Sequence, residues 1–236
     1  MNGIVQYTIL RRSYQAMDMD EFRRLSALPM WYQVVESVLT YQYPLPRVQQ
    51  LGKRWRTFWK KAAENHIVDE ERAPYTLIDG IPKNELYELD GFWCAKSPES
   101  HIGPFVNAID FLIPDGTPVF AAQDGIIVEA VDQNTQWGDN ETFRDDLNFM
   151  SIAHDIGTTP QGKAMVETTQ YCHLEAGSIR VQGLRVGMRV NQGQQIATVG
   201  KSGWTDRDHL HFIVFETDFH SLNPFGFQSL VPRFRR

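Results

Sequence analysis

The stretch His-Leu-His-Phe-Ile-Val-Phe-Glu at residues 209–216 carries the sharpest pattern in the chain. Its apolar and β-branched residues predict a strand, in which side chains alternate between two faces. His209 and His211 therefore point to one face of that strand. Leu210 and Phe212 point to the other. Two imidazoles roughly 7 Å apart on one sheet face suit one metal ligand and one neighbouring proton-transfer group, although two partly exposed surface histidines would show the same pattern.

Short apolar runs separated by Gly, Asn, Asp and Pro extend upstream of this stretch, from about residue 75. Such runs are typical of strands joined by turns. Residues 132–148 are polar and acidic, which predicts a loop over a surface. The predicted strands are residues 119–122, 125–131, 149–154, 170–174, 196–199 and 209–215. We therefore expect a mainly β, antiparallel domain over residues 75–236.

The first 74 residues predict a helical N-terminal region instead. Asp18 or Asp20 can cap the first helix, and Pro29 begins the second. The predicted helices are residues 21–28, 30–41 and 48–66.

The third of these helices carries Trp55 and Trp59 on one face, among several Arg and Lys residues. The tryptophans either pack on the β domain or help to bind an anionic wall polymer or a membrane surface. The N-terminal region could also cover the functional groove and restrain activity.

Composition excludes several classes of protein. The chain has 236 residues, of which 42% are hydrophobic and 22% are charged, so it is neither disordered nor collagen-like. A net charge of −6 argues against a nucleic-acid binder that relies on general electrostatics. No apolar run approaches the roughly 18 residues of a transmembrane helix. The two cysteines, Cys94 and Cys172, are expected to be free thiols, and a single Cys94–Cys172 bridge is the alternative.

A second group of candidate residues lies upstream of the His209 strand. His173 ends a short β-run, where a lone histidine is often structural. Asp110 sits between Ile109 and Phe111, and a carboxylate in an apolar run needs a metal, an arginine or backbone donors. His101 precedes Asp110 by nine residues. A turn-capping aspartate would also explain Asp110.

Several segments occur together in one order. They are Pro-x-Gly-Thr-Pro-Val at 114–119, Ala-Ala-x-Asp-Gly at 121–125, an aromatic-x-His-Leu at 171–174, Val-x-x-Gly-Gln-x-Ile at 190–196 and His-Leu-His-Phe at 209–212. With these motifs, residues 95–236 resemble the lysostaphin-type, or LytM-domain, zinc metallopeptidases, which cut peptidoglycan peptides. The resemblance implies an antiparallel, sandwich-like β domain built on the duplicated hybrid motif.

The resemblance also implies roles for five residues. One Zn²⁺ per chain would be bound by His101, Asp110 and His211, leaving a position for water. His173 and His209 would be the two catalytic histidines that move protons. The commonest family spacing is His-x-x-x-Asp, but here Val106 stands four residues before Asp110. His101 fits the longer spacing that some members show.

Two nearby residues are expected to be structural. Strand alternation places Cys172 on the face opposite His173, as a small buried residue. His154 resembles a family position at the end of a strand, and we interpret it as structural.

The function expected from the resemblance is hydrolysis of stem or cross-link peptides of bacterial peptidoglycan by a metal-activated water. The alternative is a catalytically inactive LytM-like module that activates other cell-wall hydrolases. Residues 4–10 lack the basic start of a secretory signal, so the chain as written is expected to be cytoplasmic. Action on the cell wall or in the periplasm would then need another export route.

Overall fold

A computed structural model describes residues 17–28, 34–46, 81–160, 162, 164–217 and 223–235 of the protein. The strands are β1 (Glu36–Tyr41), β2 (Leu86–Leu89), β3 (Phe92–Ala95), β4 (Ile109–Phe111), β5 (Pro118–Phe120), β6 (Gly125–Val131), β7 (Trp137–Gly138), β8 (Phe149–Thr158), β9 (Ala164–Cys172), β10 (Arg189–Val190), β11 (Gln195–Thr198), β12 (Gly203–Trp204), β13 (Leu210–Thr217) and β14 (Phe227–Phe234). The helices are α1 (Met19–Ser26) and α2 (Ser178–Val181), with 3-10 turns at Gly103–Phe105 and Glu141–Asp146. None of the helices in the described ranges has the length and apolar character that a bilayer crossing requires. The prediction of a mainly β fold is confirmed.

One large sheet organises these strands. Its order is β10-β6-β8-β9-β13-β4-β3-β2, and its neighbours are antiparallel. Strand β14 also pairs with β13, and β1 pairs with β14 in the parallel direction. Strand β13 has β9 along one edge and β4 followed by β14 along the other. The His209 stretch therefore leads into the centre of the sheet.

Strand β13 is apolar on both faces. The even-numbered residues from 210 to 214 pack into the main core. Ile213 and Phe215 point the other way, into a second cluster that α1 covers with Phe22. Because alternate residues share a face, His211 lies on the same face as this second cluster. The helix α1 thus packs beside the end of β13 that carries the histidines.

The predicted helix over residues 30–41 is wrong where the structure describes it, because residues 36–41 form strand β1. The sequence of β1 contains Val and Thr, which favour strands. The deciding contact comes from β9: the buried carboxylate of Glu167 accepts hydrogen bonds from two backbone N–H groups of β1 and from the Tyr41 hydroxyl. A tertiary interaction has therefore overridden the local helical spacing.

The other predicted elements compare well with the structure. Asp18 caps α1, where its side chain accepts a hydrogen bond from the Glu21 backbone N–H at 2.8 Å. The six predicted strands correspond to β5, β6, β8, β9, β11 and β13. The predicted helix over residues 48–66, with Trp55 and Trp59, lies outside the described residues. The domain boundary between residues 74 and 75 stays a prediction for the same reason.

Candidate metal centre and active site

Two strands bring Asp110 and His211 together. Asp110 lies directly opposite His211 where β4 pairs with β13. The neighbours Ile109 and Phe111 point into the main core, so the aspartate faces the other side of the sheet. Its Oδ1 is 2.7 Å from Nδ1 of His211. An apolar strand therefore delivers one carboxylate to the face that carries the histidine.

His101 reaches the same point from the segment before the 3-10 turn Gly103–Phe105. Its backbone N–H donates to the Ser97 carbonyl at 2.9 Å, and its side chain is completely buried. The Nε2 atom lies 3.1 Å from Oδ2 of Asp110. Within the described chain, however, neither ring nitrogen of His101 makes a hydrogen bond. Buried imidazole nitrogens normally have a partner, so this residue is suited to a ligand that the protein itself does not provide.

The geometry of these three side chains fits a zinc ion. His101, Asp110 and His211 each offer one ligand atom, and these atoms lie within 4.8 Å of one another. Ligands held at about 2.0 Å around tetrahedral zinc are about 3.3 Å apart. The Asp110 oxygens lie slightly inside that spacing, with Oδ2 at 3.1 Å from His101 and Oδ1 at 2.7 Å from His211. Two imidazoles and one carboxylate are also the ligand types that Zn²⁺ accepts in catalytic sites, where a fourth position stays open. Val106 forms the C-terminal cap of the 3-10 turn and has no side chain that could replace His101.

The protonation of Asp110 also suits a metal ligand. Burial alone would favour the neutral carboxyl, but the imidazoles of His101, His209 and His211 outweigh it and hold the pKa of Asp110 well below its usual value. The side chain is therefore an anion, as a metal-binding carboxylate must be.

His173 enters the site through an unusual backbone conformation. Strand β9 ends at Cys172, and His173 has a φ of 60°, in the left-handed region that few residues other than glycine adopt. This turn brings its ring to 4.5 Å from the ring of His209, measured between centroids. Strain of this kind is concentrated at functional sites.

The expected placement of Cys172 opposite His173 is wrong, because both residues line the same cavity. Alternation holds only while the backbone stays extended, and it stops at the left-handed His173. Cys172 is nonetheless buried and is a free thiol, as expected, and its Sγ contacts the Gln170 side-chain oxygen at 3.5 Å.

The two histidines outside the metal group share one tautomer. Nδ1 of His173 lies 2.8 Å from the Ser202 carbonyl oxygen, and Nδ1 of His209 lies 3.0 Å from the Arg207 carbonyl oxygen. A carbonyl oxygen can only accept, so each Nδ1 carries a proton. Nε2 of His209 is 3.7 Å from Oδ1 of Asp110. Burial and the neighbouring imidazoles of His209 and His211 lower the pKa of His173 to about 3, which keeps its ring neutral.

The side chains of Asp110, His173, His209 and His211 line a cavity of about 430 Å³. Its wall includes residues that the sequence did not single out: Met19 and Phe22 of α1, Glu85, Glu99, Arg144, Gln170, Trp204 and Arg207. The apolar spacing of α1 was visible in the sequence, but nothing in it linked that helix to residues about 190 positions later. Helix α1 thus forms part of the cavity wall.

His154 lies in strand β8 and has no free nitrogen for a metal. Its Nδ1 is 2.8 Å from the Asp124 carbonyl oxygen, and its Nε2 is 2.8 Å from the Thr169 hydroxyl. The side chain is buried beside Tyr41. These contacts agree with the structural role expected for it.

The fold and the site together define a β-sheet protein with a His-Asp-His group that could hold a metal ion and two further histidines beside it. The chain belongs to peptidase family M23, whose family model matches residues 104–224. His101 lies just before the matched range. The expected membership of the lysostaphin-type family is confirmed.

Among curated proteins, the chain is similar to the peptidoglycan DD-endopeptidase ShyC of Vibrio cholerae. They are 31% identical over 115 residues, which are 49% of this chain and 21% of that protein. It is also similar to the cell division protein DipM of Caulobacter vibrioides, with 27% identity over 106 residues, 45% of this chain and 14% of the relative. The chain thus spans about a fifth or less of the length of these relatives.

Solved structures of the same kind include the catalytic domain of lysostaphin from Staphylococcus simulans. It shares 26% identity and a TM-score of 0.34, with 52% of this chain and 74% of that one covered. A zinc-containing peptidase from Vibrio cholerae shares 24% identity and a TM-score of 0.35, with 57% of this chain and 34% of that one covered.

Proposed function

We propose that the chain is a zinc-dependent metalloendopeptidase that hydrolyses peptide bonds in the stem or cross-link peptides of peptidoglycan. The observation that carries this proposal is that His101, Asp110 and His211 converge, and that Asp110 and His211 line one cavity together with two further histidines, His173 and His209. Membership of family M23 supports the reaction class, and the relative named as a peptidoglycan DD-endopeptidase supports the substrate class.

One Zn²⁺ per chain would be held by His101, Asp110 and His211. One ionised carboxylate and two neutral imidazoles leave the bound ion a net positive charge. When bound, the ion supplies a Lewis acid that acidifies a water molecule and polarises the scissile carbonyl. The buried Asp110 contacts both histidines, and this orients the three ligands before any metal arrives.

The chain's own proton transfers are assigned to His209 and His173. Nε2 of His209 lies close to Asp110, so this nitrogen accepts the proton of the attacking water. Nε2 of the neighbouring His173 is a second acceptor for the protons of that water, and the imidazolium formed at His209 returns its proton to the leaving amine. The carbonyl contacts at each Nδ1 keep both rings in the tautomer that these steps need. Proton transfers of this kind contribute about 10²- to 10⁴-fold in rate.

Metal analysis and peptide release from purified sacculi test the proposal. The wild-type protein is expected to bind about one zinc per chain and to release peptides. His211→Ala is expected to lose both the zinc and the activity. His173→Ala is expected to keep the zinc and lose activity by at least about 100-fold. Glu216→Gln, a change further along β13 at a partly exposed residue, is the control and should retain both properties.

The alternative function, an inactive module that activates other wall hydrolases, gives a different result. Such a protein would release no peptide by itself but would increase release by an added amidase. That increase would persist in His173→Ala, because activation needs no proton-transfer residue. This outcome would reject the peptidase proposal.

A further inference from the structure

A buried ion pair lies outside the cavity, in segments that adjoin the two histidines assigned to proton transfer. The Lys201 ammonium contacts Oδ1 of Asp208 and lies 3.7 Å from Oδ2 of Asp115. It also lies over the Trp137 ring, at 5.0 Å from the centroid. The side chain of Lys201 is 10% exposed and that of Asp208 is 1% exposed. Charged side chains are rarely buried to this extent unless their partner has a defined position.

Each member of the pair is next in sequence to a residue that shapes the site. Lys201 precedes Ser202, whose carbonyl oxygen accepts the Nδ1 hydrogen bond of His173 at 2.8 Å. The Ser202 hydroxyl in turn accepts a hydrogen bond from the Asn148 backbone N–H at 3.0 Å. Asp208 precedes His209 directly. The ion pair therefore connects the segment that orients one histidine with the segment that carries the other.

Asp208 also ties these segments to the loop after the aspartate ligand. Its Oδ2 accepts a hydrogen bond from the Asp115 backbone N–H at 3.1 Å. One carboxylate thus holds a lysine from one loop and a backbone N–H from another. Neither Lys201 nor Asp208 is among the residues that line the cavity, so neither is placed to touch a substrate.

We propose that Lys201 and Asp208 are positioning residues, whose buried ion pair sets the distance between the His173 and His209 rings. This role rests on the proposed peptidase function, because it matters for proton transfer only if the two rings act on one substrate. A displacement of about 1 Å at a reacting group can cost about 100-fold in rate. The pair therefore acts on turnover through geometry, without contacting the reacting atoms.

The first test is the variant Lys201→Met, which keeps the length of the side chain and removes its charge. We expect kcat to fall about 10- to 100-fold, with KM changed by less than about twofold and with one zinc per chain retained. We expect kcat to change without KM or the zinc content because the variant leaves the cavity wall and the metal ligands unchanged.

Arg180→Met is the control at a more exposed ion pair, in which the Arg180 side chain is 70% exposed. Arg180 pairs with Asp132 at 3.3 Å, and Asp132, like Asp208, is a buried aspartate that also accepts backbone N–H hydrogen bonds. Asp132 accepts from the backbone N–H groups of Ile179 and Arg180 in α2, and neither Asp132 nor Arg180 lines the cavity. Arg180→Met is expected to keep kcat within about twofold of wild type when both proteins are assayed well below their unfolding midpoints.

A double variant separates positioning from stability. Lys201→Met leaves Asp208 as an unpaired buried charge, whereas Lys201→Met with Asp208→Asn removes both charges. The double variant should therefore unfold at a higher temperature than Lys201→Met and still show the low kcat. A kcat that recovers together with the unfolding temperature would overturn the proposal, because the defect would then be one of stability.

Imidazole NMR signals give a readout that does not depend on turnover. In Lys201→Met the ring signals of His173 and His209 should shift, while those of the distant His154 stay in place. Unchanged signals, or a kcat equal to that of Arg180→Met, would reject the positioning role. If the wild-type protein cuts no peptide, the proposed function fails, and the ring signals alone decide whether the ion pair positions the histidines.

Discussion

The Tyr41 hydroxyl lies 2.7 Å from a carboxylate oxygen of Glu167, a residue 126 positions later in the chain. Both side chains are fully buried. Burial and the Glu167 carboxylate raise the pKa of Tyr41 above its usual value, so the phenol stays protonated and donates. Together with the backbone N–H groups of β1, this contact attaches the N-terminal strand to β9, the strand that leads into His173.

Replacing Glu167 by Gln is expected to lower the free energy of unfolding by about 3 kcal/mol, because the amide would present N–H groups to partners that are themselves donors. Tyr41→Phe removes one hydrogen bond and leaves the carboxylate its backbone partners, so it should cost about 1.5 kcal/mol. Urea unfolding measures both. A Glu167→Gln protein as stable as the Glu216→Gln control would show that the carboxylate does not hold β1.

Asp110→Asn is expected to weaken zinc binding by at least about 100-fold, because a neutral amide oxygen replaces the only anionic ligand. Competition with a chromophoric chelator measures the affinity. Asp155→Asn, at an exposed position in β8, serves as the control and should bind zinc as tightly as wild type. Equal affinity in the two variants would contradict the assignment of Asp110 as a ligand.

Phe22→Ala is expected to loosen α1 from the cavity wall. The Phe22 ring is 3% exposed and packs against the rings of Phe105 and Phe225, so its removal should cost about 3 kcal/mol. Amide hydrogen exchange in residues 19–26 should accelerate. Arg24→Ala, which removes an exposed ion pair with Glu21, should change exchange little. If exchange in α1 were the same in both variants, Phe22 would not be its anchor.

The buried His154 predicts a specific loss of stability in mild acid. Burial lowers its pKa from 6.5 to about 4. Between these two pH values the unfolded chain binds a proton that the folded protein does not, so stability falls as the pH falls. The contribution of His154 to the free energy of unfolding is complete above about pH 6.5. It decreases by about 2 kcal/mol between pH 7 and pH 5.

His154→Gln removes this titration, so the stability of wild type should fall about 2 kcal/mol further than that of the variant over the same range. Urea unfolding with a chelator in both samples measures the difference without a contribution from metal. Burial and the Asp208 charge raise the pKa of Asp115 to about 7, which has the opposite effect on stability. Asp115 is present in both proteins, so its contribution cancels in the difference between their free energies of unfolding. Parallel pH profiles would show that His154 does not titrate on unfolding.

Local pattern was enough to locate most of the sheet and part of the site. Alternation in the His209 stretch placed both histidines on one face, and the structure brings both within 4 Å of Asp110. The apolar neighbours of Asp110 likewise indicated a buried carboxylate that needs partners. These predictions hold because the periodicity of a strand and the cost of burying a charge are local properties of the chain.

What the sequence determined by itself was the set of strands, the cap of α1 and the residue types able to bind a metal. Only the tertiary structure decided that residues 36–41 form a strand, that His101 meets Asp110, and that His173 turns toward the cavity beside Cys172. The first depends on a contact between residues 126 positions apart, the second on the path of the chain between residues 101 and 110, and the third on a single left-handed residue. Periodicity carries no information about such features, because a long-range contact becomes favourable only after the rest of the chain has brought its partner near.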